Sequence, residues 1–153
     1  MKKDTVDELV LRSQYVPMRD GVRLAVSVWL PSASDELTPR PAVLVSTRYW
    51  RALALRDDRA EYQSSFPMAS QFLTCGYVLV VCDSRGTGAS FGTREIELPA
   101  AEVDDLGQLI EWVAGQSWCD GRVATTGTSY TANTTLMSCV TSPPWTVPQE
   151  IST

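Results

Sequence analysis

Tyr77-Val78-Leu79-Val80-Val81-Cys82-Asp83 carries the strongest strand signal in the chain, and its surroundings decide the fold. A continuous β-branched and aliphatic run of this length suits a strand buried on both faces. Before it, Pro67 is suited to open a helix from about Met68 to Thr74, with Gly76 just beyond its end. After it comes a glycine-bearing loop, Ser84 to Thr93, and then a segment from Ala100 to Ala114. In that segment Val103, Leu106, Ile110 and Val113 recur at helical spacing. Further upstream, Ala42-Val43-Leu44-Val45-Ser46 is a second apolar strand, reached from Pro31 through a polar connector, Ser32 to Pro41.

Two more strands, Val10 to Val16 and Val22 to Leu30, flank Met18-Arg19-Asp20-Gly21, whose Asp-Gly pair suits a tight turn. Downstream, Asp120-Gly121 reads as a turn and Val123 to Thr126 as a short strand. Tyr130 to Val140 reads as a helix with Leu136, Met137 and Val140 on its inner face. Strands alternating with helices imply crossover connections. The expected fold class is therefore α/β, a mostly parallel sheet fronted by an antiparallel N-terminal hairpin.

The 153 residues allow one modest domain, able to bury roughly two-thirds of its unfolded surface. A net charge of -5 argues against nucleic acid or an anionic membrane as the main partner. No apolar run approaches the roughly 20 residues of a bilayer span, and the start lacks a signal-like apolar stretch. Cys75, Cys82, Cys119 and Cys139 show neither C-x-x-C nor metal-like spacing and read as buried free thiols. The expected location is the cytoplasm. There is no histidine at all, and the only lysines are Lys2 and Lys3. Imidazole proton relays and imidazole metal sites are thereby excluded from this chain. Neither a metal nor a cofactor is expected.

Gly127-Thr128-Ser129-Tyr130-Thr131-Ala132 lies between the last strand and the last helix, the setting of a nucleophile elbow. Such a serine needs a strained turn that projects its hydroxyl above the sheet. Small neighbours let strand and helix approach, and the helix start faces the developing oxyanion. Gly-x-Ser by itself is also what an ordinary turn serine shows, and Thr131 stands where the basic pattern has glycine.

The wider sequence resembles the cocaine esterase and Xaa-Pro dipeptidyl-peptidase family of α/β-hydrolases, which includes α-amino-acid ester hydrolases. Tyr15-Val16-Pro17-Met18-Arg19-Asp20-Gly21-Val22-Arg23-Leu24 is similar to its N-terminal hairpin, and Thr47-Arg48-Tyr49-Trp50 to the segment bearing its oxyanion tyrosine. Asp83-Ser84-Arg85-Gly86-Thr87-Gly88-Ala89-Ser90-Phe91-Gly92 resembles its D-x-R-G-x-G-x-S-x-G loop. Trp118-Cys119-Asp120-Gly121-Arg122-Val123 followed by Gly127-Thr128-Ser129-Tyr130 resembles its nucleophile strand and G-x-S-Y-x-G elbow, with Ala132 for the last glycine. The resemblance covers about Tyr15 to Thr141. It divides the chain into an N-terminal extension (1–14), a partial α/β-hydrolase domain (15–141) and a proline-rich tail (142–153).

The resemblance implies that Ser129 is the nucleophile toward an ester or amide carbonyl. It implies that the Tyr49 hydroxyl and the Tyr130 backbone N–H hold the oxyanion. Tyr49 has a competing reading as an aromatic packed beside Trp50. Asp83 and Arg85 read as loop-bracing charges. Glu102, Asp104, Asp105 and Glu111 read as a solvated helix face, and Trp112 and Trp118 as packing residues. Gly86-x-Gly88-x-x-x-Gly92 after a strand also invites a dinucleotide reading, but Arg94 to Pro99 separates it from the next helix.

A serine attacks only when a base takes its proton. The family's acid and histidine follow the elbow in chain order, and here neither has a counterpart. The expectation is therefore an N-terminal portion of a larger hydrolase, truncated after the nucleophile helix. Its expected partners are a small acyl ester or peptide substrate and a complementing chain carrying the missing Asp and His. The alternatives are a catalytically inactive fragment and a non-catalytic module binding a small ligand.

Overall fold

The computed structural model describes residues 10–30, 38–51 and 68–141. Pro67, Lys2, Lys3, Pro31 with residues 32–37 of the connector, and the tail from residue 142 lie outside the described residues. Five strands and three helices follow in order: β1 (Val10–Pro17), β2 (Arg23–Leu30), β3 (Arg40–Thr47), α1 (Ala69–Thr74), β4 (Val78–Asp83), α2 (Ala100–Ala114), β5 (Cys119–Thr125) and α3 (Tyr130–Thr141). The strands form one sheet in the order β1-β2-β4-β3-β5. β1 pairs antiparallel with β2, and β2 antiparallel with β4, whereas β3 runs parallel to both β4 and β5. The expected hairpin-fronted parallel sheet is present.

Residue alternation sorts the sheet into two buried faces. Leu24, Val26, Val28, Leu44, Val78 and Val80 point to one side and meet Leu109, Ile110 and Val113 of α2. Trp29, Val43, Val45, Leu79 and Val81 point to the other and meet Ala69 and Leu73 of α1. Fully burying a large aliphatic side chain stabilises by about 1.5–3 kcal/mol, so both faces contribute. The N-terminal hairpin closes through Met18 N–H to the Val22 carbonyl at 2.7 Å, with Asp20 Oδ1 accepting from Val22 N–H at 3.0 Å.

Three expectations are corrected. β5 begins at Cys119, because Asp120-Gly121 is a bulge within the strand rather than a turn before it. The register passes from Arg40–Cys119 to Ala42–Val123, so the extra residues are accommodated on β5. The inner face of α3 is polar: Thr131, Thr134 and Ser138 are buried, while Leu136 and Val140 are exposed. Hydroxyls can line that face because the backbone satisfies them. Thr134 donates to the Thr131 carbonyl (2.9 Å), Ser138 to that of Thr135 (2.6 Å), and Thr125 and Ser138 share a 3.0 Å bond. All four cysteines are free as expected, but only Cys82 and Cys119 are buried; Cys75 and Cys139 are exposed.

Candidate active site

Ser129 stands between the end of β5 and the first residue of α3 with φ 59°, a left-handed conformation that a non-glycine residue adopts at a cost. Its side chain is exposed. The turn is held by the shape of its neighbours. A Cβ on Gly127 would lie 2.3 Å from the Thr131 carbonyl carbon, so only glycine allows the strand end to pass this close to the helix. Thr131 uses the same proximity: its Oγ1 accepts from Thr128 N–H at 2.6 Å and donates to the Thr128 carbonyl at 2.8 Å. The position where the basic elbow pattern has glycine is thus a hydroxyl staple. Ala132 is exposed, so its methyl does not crowd the turn.

The helix start continues the arrangement. The Ser129 carbonyl accepts from Ala132 N–H (3.0 Å) and Asn133 N–H (3.2 Å). Tyr130, as the first residue of α3, contributes one of the N–H groups that a helix leaves without an internal partner. Thr134 Oγ1 is 3.1 Å from the Ser46 carbonyl and ties α3 to the end of β3.

Tyr49 reaches the same point from β3. Its phenol accepts from Arg48 Nη2 at 3.3 Å, on the side of the site where Ser129 stands. The Ser129 side chain first, and Arg48 next, hold its pKa below the ordinary tyrosine value, against a smaller opposing effect of burial. The Tyr49 and Tyr130 rings meet edge to face, with centroids 6.2 Å apart. Tyr49 therefore packs on an aromatic, but its partner is Tyr130 of the elbow, the residue after the candidate nucleophile.

The turn after Tyr49 is bound to a buried carboxylate. Asp83, at the end of β4, accepts from Arg51 N–H at 2.6 Å, from Arg51 Nη1 at 2.8 Å and from Ala89 N–H at 3.0 Å. Arg51 Nε also reaches Ser27 Oγ at 3.0 Å, and the intervening Trp50 has φ 69°. Gly88 belongs to the same clamp, since a Cβ there would lie 2.4 Å from the Asp83 carboxylate. Arg85 forms a two-bond pair with Asp105 (2.8 and 2.6 Å) and also reaches Asp20 at 2.6 Å. Asp83 and Arg85 brace loops, as their sequence reading holds. The glycines of that loop make room for the Asp83 carboxylate and for Arg94, not for a phosphate on a helix start.

Sequence reasoning missed the residues beneath Tyr130. Its hydroxyl donates to Glu102, which also pairs with Arg94 Nε at 3.1 Å. Burial pushes the Glu102 carboxyl above its ordinary pKa, with Arg94 opposing. The expected solvated acidic face of α2 is corrected: Glu102 and Asp105 are buried, whereas Asp104 and Glu111 are exposed beside Arg19. A signal was available, because 102, 105, 106, 109, 110 and 113 fall on one helical stripe with the apolar residues. Trp112 and Trp118 pack edge to face at 6.3 Å, as expected. Among the described residues no group of three His, Cys, Asp or Glu is placed to hold a metal. Among them, too, no helix is long and apolar enough to cross a membrane.

Residues 20–147 match the family described as X-Pro dipeptidyl-peptidase (S15 family). The chain belongs to that family. A Mycobacterium bovis protein ascribed a serine esterase activity is 39% identical over 127 residues, which are 77% of this chain and 20% of the relative. The cocaine esterase of a Rhodococcus species is 34% identical over 131 residues, 86% of this chain and 21% of the relative. Among solved structures, a CocE/NonD family hydrolase from Staphylococcus aureus superposes with a TM-score of 0.74 at 25% identity, over 89% of this chain and 26% of that one. An α-amino acid ester hydrolase gives 0.71 at 26% identity, over 94% of this chain and 25% of that one. The chain thus spans a fifth to a quarter of these relatives' length and carries the N-terminal part of their α/β-hydrolase fold.

Proposed function

We propose that this chain carries the nucleophile and oxyanion half of a serine hydrolase that transfers an acyl group from an ester or amide to water. Ser129 attacks the carbonyl carbon. The Tyr49 hydroxyl and the Tyr130 N–H hold the resulting oxyanion, an arrangement able to lower the barrier by several kcal/mol. The observation that carries this reading is a serine in left-handed conformation at the start of α3, with Tyr49, from the end of β3, packed edge to face on Tyr130 of the same elbow. The substrate is a small acyl ester or peptide, the class of compound that the relatives' names indicate.

The 153 residues contain no histidine, so the base that accepts the serine proton comes from outside them. A complementing polypeptide bearing an Asp–His pair is the partner that fits this need. Free imidazole is a simple substitute for it. With imidazole and an activated p-nitrophenyl ester, mass spectrometry should find an acyl adduct on Ser129. The adduct should be absent without imidazole and absent in Ser129→Ala. An adduct pattern that Ser129→Ala leaves unchanged would overturn the assignment and favour the inactive reading.

A further inference from the structure

Arg48 has no role in the proposed chemistry, yet three parts of the site converge on it. Its Nη2 is 3.3 Å from the Tyr49 oxygen, and its Nη1 is 2.8 Å from Glu97 Oε1 on the loop before α2. Its guanidinium carbon lies 5.1 Å from the Tyr49 ring centroid and 4.7 Å from that of Tyr130. The other face-on cation at Tyr130, Arg94 at 5.0 Å, is already engaged with Glu102.

We propose that Arg48 is a positioning residue that sets the Tyr49 hydroxyl against the elbow, its guanidinium contacting both tyrosine rings and anchored at its far end by Glu97. The inference rests on Tyr49 being the oxyanion donor. Tyr49 is 43% exposed, so protein packing alone leaves its outer side unsupported. A planar, permanently charged fork can donate to the phenol oxygen and to a carboxylate at once while contacting π faces. A donor on the phenol oxygen also draws electron density from the O–H bond, which makes that hydroxyl a stronger donor to an oxyanion. The ionisable and charged groups facing Tyr49 and Tyr130 are Arg48, Glu97, Arg94 and Glu102.

The test needs no turnover. In protein labelled with 13C at the tyrosine ζ carbon, the Tyr49 resonance is identified by its loss in Tyr49→Phe and followed through its titration. Arg48→Met should move the Tyr49 titration up and weaken the ring-to-ring cross-peak between Tyr49 and Tyr130. Arg48→Lys keeps the charge without the fork, so it should give an intermediate titration and the same weakened cross-peak. If Arg48→Met fails to fold, the Arg48→Lys pair of readings decides. An unchanged titration and cross-peak in the folded variants would overturn the proposal, whatever happens at Ser129. If those readings shift while Ser129 never acylates, the hydrolase reading fails, and Arg48 holds Tyr49 in place without serving an oxyanion site.

Discussion

The two arms that meet at the candidate site are held by different forces. The β3 arm, from Thr47 to Arg51, is held by charge: one buried carboxylate, Asp83, takes two bonds from Arg51 and a third from Ala89. The elbow, from Gly127 to Thr131, has no charge within it. A missing side chain at Gly127, a threonine hydroxyl bonded both ways to Thr128, and a helix start hold Ser129 at φ 59°. The contrast follows from what each arm must present. The β3 arm carries long side chains that need a distant anchor, while the elbow must bring backbone against backbone.

The largest expected effect tests the charged arm. Asp83→Ala leaves the largely buried Arg51 guanidinium without its partner, and breaking such a pair costs about 3–5 kcal/mol. The urea unfolding midpoint should fall accordingly, with the Tyr49 resonance broadened or displaced. A midpoint close to that of the original chain would show that the arm is not held by charge.

Gly127→Ala tests the steric arm. The added methyl meets the Thr131 backbone, and overpacking of this kind costs about 1–3 kcal/mol. Imidazole-assisted acylation of Ser129 should be lost even where the protein remains folded. Retained acylation would mean that the elbow does not depend on the close approach.

A smaller effect concerns the floor beneath both arms. Folding raises the Glu102 pKa above its ordinary 4.5, chiefly through burial. Its contribution to stability is therefore fully present below that value and is lost as pH rises through the higher native value. Asp105 is shifted in the same direction for the same reason. Unfolding midpoints measured from acid toward neutral pH should decline more in the original chain than in Glu102→Gln. Parallel curves would count against a Glu102 whose pKa folding raises. Least of all, Leu136→Ser on the exposed side of α3 should change stability by no more than about 0.5 kcal/mol in thermal melts.

Much of the fold was legible in the chain because burial on both faces leaves an unmistakable run. Tyr77 to Asp83 and Ala42 to Ser46 are such runs, and α2 was placed at Ala100–Ala114 by spacing alone. The elbow was legible from Gly127, Ser129 and their place between strand and helix. What misled was polarity. Thr131, Thr134 and Ser138 are polar by type but bury well once helix carbonyls accept their hydroxyls, so the apolar Leu136 and Val140 point outward. Glu102 and Asp105 read as solvated because their partners, Arg94 and Arg85, approach from a loop that helical periodicity does not see.

The sequence by itself determined the alternation of strands and helices, the serine at the strand-to-helix turn, and the absence of any imidazole to activate it. Those follow from local pattern and composition. Only the tertiary structure decided that Tyr49 packs on Tyr130 of the elbow, that Arg48 contacts both tyrosine rings, and that Glu102 lies buried beneath Tyr130. These contacts join segments remote in the chain, and such contacts are set by packing across the sheet rather than by neighbours in sequence.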